Sequence, residues 1–159
     1  MSARLASYML AVLNAVSIFG RTLPGWIADR VGRFNTMIAM SLLSCILVLG
    51  LWLPSRGNIP IIIFAAFYGF SSGAFVSLAP ACVAQISDIR QIGVRTGTMF
   101  ATVSIGALVG NPIGGALITA EHGGYTHLQI FGGVMMCAGA VVFCGARTSL
   151  VGFKIKAKV

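Results

Sequence analysis

The sequence predicts an all-α fold, a multi-pass transmembrane helical bundle of five spans. Three observations carry that expectation. Hydrophobic residues make up 57% of the 159 and charged residues only 9%, with a mean hydropathy of +0.94, whereas a soluble domain carries roughly 25% charged residues. The charge-free runs, 5–20, 34–55, 57–87, 96–120 and 122–146, approach or exceed the about 20 apolar residues that cross a hydrocarbon core of about 30 Å. They are uniformly apolar rather than alternating, so their backbone groups pair within helices and not in the strands of a barrel.

The first run holds sixteen residues between Arg4 and Arg21, about 24 Å of helix, which is short for a bilayer. The first span is therefore drawn over about 5–28, past Arg21. An arginine inside lipid is costly unless it faces a cavity or a partner, which makes Arg21 a candidate solute contact. The competing reading has its side chain snorkel to the interface beside Arg30. A charged turn follows, Gly25-Trp-Ile-Ala-Asp-Arg-Val-Gly-Arg33. Its Asp29 is one of only three acidic residues, with Asp88 and Glu121, and it sits beside Arg30 and Arg33. Two readings stand here, an ion-pair latch and a basic loop that holds membrane topology.

The second span covers about 34–54 and the third about 60–86, with Gly69 and Gly73 four residues apart and Pro80 near its end. The fourth, about 96–119, carries Gly106, Gly110 and Gly114 at the same spacing, Gly115 adjoining, and Pro112 among them. Small residues four apart share a helix face and let two backbones approach. The fourth span is thus expected to be a packing helix, with Pro80 and Pro112 bending theirs by removing a backbone donor. The fifth span is about 127–146. Residues 1–147 read as one bundle and 148–159 as a basic tail.

Charge placement orients the spans. Nine of eleven Lys and Arg fall on one side, namely Arg21, Arg30, Arg33, Arg90, Arg95, Arg147, Lys154, Lys156 and Lys158, against Arg4 and Arg56 on the other. The positive-inside tendency then puts the N-terminus outside and the C-terminus in the cytoplasm. The net charge of +8 is a topology signal, since a nucleic-acid partner needs a basic soluble face. Cys45, Cys82, Cys137 and Cys144 lie in apolar runs without a CxxC pair, and read as small packing residues with no disulfide framework and no metal. His122 and His127 flank a loop. No nucleophile-base set, paired carboxylates or phosphate loop is present, so no enzyme and no cofactor is expected.

Gly25, Ala28, Asp29, Arg30, Gly32 and Arg33 resemble the loop motif G-x-x-x-D-R-x-G-R of the major facilitator superfamily, which follows its second helix and recurs after the eighth. Residues 106–115, Gly-Ala-Leu-Val-Gly-Asn-Pro-Ile-Gly-Gly, resemble the glycine-proline motif of the fifth helix, echoed in the eleventh. The stretch 8–119, with Asn14, Gly20-Arg21, Pro80 and Gly93-Val94-Arg95-Thr96-Gly97, is similar to fungal members of the monocarboxylate-transporter branch.

The resemblance implies helices eight to twelve of a twelve-helix transporter, the C-terminal half lacking helix seven, and with it a truncated or partial chain. It further implies alternating access, two bundles rocking about a central cavity, with Gly25, Asp29, Arg30, Gly32 and Arg33 as a gating motif and Asp88 as one candidate partner. In the monocarboxylate branch an arginine matching Arg21 binds the substrate carboxylate, which suits its planar fork. Asn14 and Ser77 join it as implied solute contacts, Ser77 within a cavity-lining stretch from Ser71 to Pro80. Animal members place an acid one turn before that arginine; here the position is Ser17, so proton coupling does not transfer. The implied activity is movement of a small organic solute, a monocarboxylate or a secondary metabolite, across a membrane such as the plasma membrane. Its implied partners are lipid and the missing N-terminal bundle or a full-length relative. The competing class is a truncated, non-transporting membrane protein that packs on such a relative.

Overall fold

The computed structural model describes residues 3–55 and 57–152, and contains five long helices. Helix α1 spans Ala3–Val31 and α2 spans Arg33–Ile46, which continues as a π-helical segment Leu47–Trp52. Helices α3, α4 and α5 span Asn58–Gln85, Ile92–Ala120 and Thr126–Val151. All five spans are long and apolar enough to cross a membrane, and no strand occurs among the described residues. Arg56 and the basic tail at Lys154, Lys156 and Lys158 lie outside the described residues.

The charged turn is shorter than the sequence pattern implied. Helix α1 runs through Asp29 and Arg30, and Gly32 alone separates it from α2. Gly32 has φ 109°, a conformation that a residue with a Cβ adopts only with strain. The break stays bonded, because the Gly32 N–H donates to the Ala28 carbonyl at 2.8 Å and the Gly32 carbonyl accepts from the Thr36 N–H at 3.1 Å. One residue therefore reverses the chain while its polar groups remain paired, as lipid requires.

The core is built on α3. One face of α3 meets α1 backbone to backbone: a Cβ on Gly20 would overlap the Phe70 carbonyl, and one on Gly69 or Gly73 would overlap the backbone of Leu13 or Ser17. Residues Leu13, Ser17, Gly20, Pro24 and Ala28 thus form the inward face of α1, at helical spacing, with Pro24 fully buried. At one end of the bundle Ala28, Phe34, Met37, Ala74, Leu78 and Cys82 close a buried cluster. At the other, Leu47, Val48 and Phe64 close a second, next to a ladder in which Trp52 stacks on Phe64 at 5.1 Å and Phe64 on Tyr68 at 5.2 Å.

Helices α2 and α5 are joined covalently. Cys45 and Cys137 form a disulfide with a Cα–Cα separation of 5.6 Å, which corrects the expectation that all four cysteines serve only as packing residues. Spacing along the chain could not reveal it, because the two lie 92 residues apart and meet only when α5 returns to α2. Cys82 and Cys144 are free.

Helix α4 stands apart. It contains no buried residue, and a Cβ on Gly106, Gly110 or Gly115 would meet nothing within 4 Å. Its ties are near its ends. Arg95 donates to the Ile86 carbonyl at 3.1 Å and to Gln91 at 3.1 Å, and Gly114 sits over the Leu128 side chain, 3.3 Å from a Cβ placed there. Close glycine packing occurs within this chain at the other pair of that spacing, Gly69 and Gly73, between α1 and α3. Helices α3 and α4 both continue through their prolines, Pro80 and Pro112.

Candidate functional site

Three features can carry function, and the first is the motif at the α1–α2 junction. Asp29 and Arg33 lie one helical turn apart across Gly32, with Nη2 and Oδ1 at 3.7 Å, a loose ion pair of partly exposed side chains. The stronger tie of Arg33 runs elsewhere: its Nη1 donates to the Ala81 carbonyl of α3 at 3.2 Å, partly buried. That carbonyl follows Pro80, one turn short of the end of α3. Arg30 turns away and lies over the Trp26 ring at 3.8 Å, a cation-π contact. Ala28, Asp29, Gly32, Arg33 and Gln85 enclose a small cleft of about 300 Å³. Asp88, named above as a candidate partner, accepts instead from the Arg90 N–H at 3.4 Å within its own turn. Among the described residues no ion pair joins it to Arg30 or Arg33.

The second feature is the open face of α1. Asn14 and Arg21 are exposed and seven residues apart, two turns along one stripe, about 100° around the helix from Leu13 and Gly20, which abut α3. Ser17 belongs to the opposite class. It is buried, 6% exposed, with its backbone under Gly73. The position where an acid is implied in animal relatives therefore points into the α1–α3 seam and not along the Arg21 stripe. Ser77 lies one turn beyond Gly73 on α3, half-buried, and its hydroxyl donates to the Ala74 carbonyl at 3.1 Å. No hydrogen bond links it to Asn14 or Arg21 among the described residues.

The third feature was not read from the sequence. A groove of about 580 Å³ opens between α2, α3 and α5, lined by methionines 40, 135 and 136, by Tyr68, Phe75 and Phe143, and by a row of small residues. That volume falls in the range of small-molecule sites. Its polar element is the pair Ser44 and Ser71, whose hydroxyls lie 2.9 Å apart and buried, Ser71 passing the bond on to the Tyr68 carbonyl at 3.2 Å. Ser71, Ser72, Phe75 and Val76 of α3 line this groove, which lies within the bundle on the side of α3 away from α1. Residues from three separate helices make this wall, so no local motif announces it.

Residues 1–153 match the Major Facilitator Superfamily. The chain belongs to that superfamily. An MFS-type transporter of an Ophiocordyceps species is 48% identical over 159 residues, 100% of this chain and 35% of its own length. The fujikurins efflux protein of Gibberella fujikuroi is 39% identical over 147 residues, 92% of this chain and 32% of its own. The aspyridones efflux protein of Emericella nidulans is 39% identical over 148 residues, 92% of this chain and 30% of its own. The chain thus spans about a third of the length of these curated relatives. No solved structure matches. With five helices long and apolar enough to cross a membrane, the protein is an integral membrane protein of that superfamily.

Proposed function

We propose that this chain is the C-terminal part of a secondary transporter, equivalent to helices eight to twelve, that moves a small organic solute by alternating access. The observation that carries this reading is the open α1 face, where Asn14 and Arg21 stand exposed along a membrane-spanning helix with no hydrogen bond or ion pair among the described residues. An arginine so placed is costly in lipid and is sustained where a water-filled path or an anionic solute meets it. Relatives named for the efflux of fujikurins and of aspyridones support a secondary metabolite as the solute and export as the direction. A carboxylate on that solute suits the guanidinium fork of Arg21, as in the monocarboxylate branch, with Asn14 and Ser77 as neutral contacts.

The cytoplasmic face is then the one that holds Gly32, and the N-terminus of α1 lies outside, by the nine-to-two split of Lys and Arg. There the Asp29–Arg33 pair and the bond from Arg33 to the Ala81 carbonyl fix the α1–α2 turn against the end of α3. Arg30, which among the described residues is held by Trp26 alone, can reach an acidic group on a second bundle. That exchange is the gate: the contact forms when the cytoplasmic side closes and breaks when it opens.

Efflux of a carboxylate-bearing metabolite from cells expressing the full-length polypeptide tests the proposal. Arg21→Lys keeps the charge and removes the fork, and is expected to lower transport of carboxylate solutes at unchanged membrane abundance. Unchanged transport across such solutes would sink the Arg21 role. The alternative, a non-transporting partner of a full-length relative, draws support from the unburied length of α4. It is favoured if the chain co-purifies with a relative and no solute moves.

A further inference from the structure

Helices α2 and α5 form the two outer walls of the groove, and their cysteines sit directly behind it. Cys45 follows the lining residue Ser44, and Cys137 follows the lining residue Met136. The link lies in the part of the bundle away from Gly32. Cys45 precedes Trp52 by seven residues and Cys137 follows Thr126 by eleven, so both are about 10 to 16 Å deep from that end. Cys45 is 5% exposed and Cys137 is half-buried.

Beyond the disulfide the groove is closed by much weaker means. Six residues further along α5, Phe143 meets Phe75 of α3 edge to face at 6.3 Å, a single non-covalent aromatic contact. Between pin and latch the one lining residue of α5 is Gly139, which has no side chain to resist movement, and Met40 faces it from α2 with a flexible one. Lipid supplies no hydrophobic force to hold one helix on another. On the Thr126 side of the pin α5 is also held by packing, with Gly133 against Leu49 and Met136 against the Leu47, Val48 and Phe64 cluster, and by Gln129, which donates to the Trp52 carbonyl at 3.5 Å. On the Phe143 side the disulfide is the last fixed point before the Phe75–Phe143 contact.

We propose that the Cys45–Cys137 disulfide is a redox-controlled staple that sets the width of the groove. When oxidised it pins α5 to α2 and leaves the Phe75–Phe143 contact to close the far end. When reduced it lets the Phe143 half of α5 swing away from α2 and α3. The reductant is a membrane-permeant dithiol. One of its thiolates attacks a cysteine sulfur and breaks the Sγ–Sγ bond, its second thiol resolves the mixed disulfide, and two electrons and two protons end on Cys45 and Cys137 as thiols. Reoxidation transfers the same electrons and protons to a small disulfide of an oxidising compartment. This inference is independent of the solute and of Arg21.

Gly139 gives a probe, since it lines the groove and a Cβ there meets nothing within 4 Å. In the full-length polypeptide in membranes, Gly139→Cys is labelled with a maleimide and the label is assigned peptide by peptide by mass spectrometry. Labelling of position 139 is expected to be several-fold faster after treatment with a permeant dithiol. The same acceleration is expected, without reductant, in a background carrying Cys45→Ser and Cys137→Ser. Blocking of Cys45 and Cys137 by alkylation before any reduction would overturn the staple itself. Equal labelling rates in oxidised, reduced and serine-substituted proteins would overturn its control of the groove. Should the double serine protein fail to accumulate, the oxidised-against-reduced comparison on the parent chain decides alone.

Discussion

Two glycine pairs with identical spacing have opposite surroundings. Gly69 and Gly73 of α3 lie against the backbone of α1, so closely that no Cβ fits. Gly106 and Gly110 of α4 face open space. Spacing alone places small residues on one face; whether a helix arrives there is decided by the rest of the fold. The comparison teaches that the α1–α3 seam is complete within this chain, whereas the α4 stripe is uncovered within it.

The largest effect should follow from filling the seam. Gly20→Ala drives a methyl group into the Phe70 carbonyl, and since backbone cannot step aside as a side chain does, a loss of about 3 kcal/mol is expected. Thermal unfolding in detergent, followed by helical circular dichroism, measures it. Next comes the motif end of the same seam. Arg33→Gln removes a partly buried charged donor from the Ala81 carbonyl and should cost about 1.5 kcal/mol. Asp29→Asn removes only a loose and mostly exposed ion pair, worth less than about 0.5 kcal/mol. If the two substitutions cost the same, the seam does not end where the structure places it.

A smaller effect concerns the turn that tethers α4 to α5. Glu121 accepts from the His127 N–H at 3.0 Å, and this bond first, then the Thr126 hydroxyl, holds its carboxyl below the usual carboxylate range. A group whose pKa is depressed on folding contributes stability above its unfolded pKa and loses it as pH falls through the folded one. Acidification through the carboxylate range should therefore loosen the turn, while pH near neutrality should not. Amide hydrogen exchange at residues 121–127 reads this directly, and Glu121→Gln should abolish the pH dependence.

The smallest effect is the sharpest control. Gly106→Ala meets no atom within this chain and should change the stability of the 159 residues by less than about 0.5 kcal/mol. If the proposed full-length transporter packs a further helix on the stripe, the same substitution costs more there. Equal tolerance in both contexts would remove α4 from the list of packing helices.

Much of this architecture was legible in advance. The charge-free runs located all five helices, and Arg21 and the Gly25–Arg33 pattern were readable as local motifs. The helical course of Asp29 and Arg30 was less so, because a charged cluster looks like a loop until Gly32 is seen to make the whole reversal. The groove, the Ser44–Ser71 bond and the Cys45–Cys137 link were not legible, since each joins residues from helices distant in the chain.

The sequence by itself determined the solvent and the secondary structure. Lipid cannot pair a free peptide group, so long apolar runs must be helices, and the few charges must lie at their ends or face a partner. Only the tertiary structure decided which faces meet. Within a membrane all apolar faces are nearly equivalent, and contact goes to those whose shapes allow backbones to touch. Gly20, Gly69 and Gly73 have that shape and a partner, whereas Gly106 and Gly110 have the shape alone.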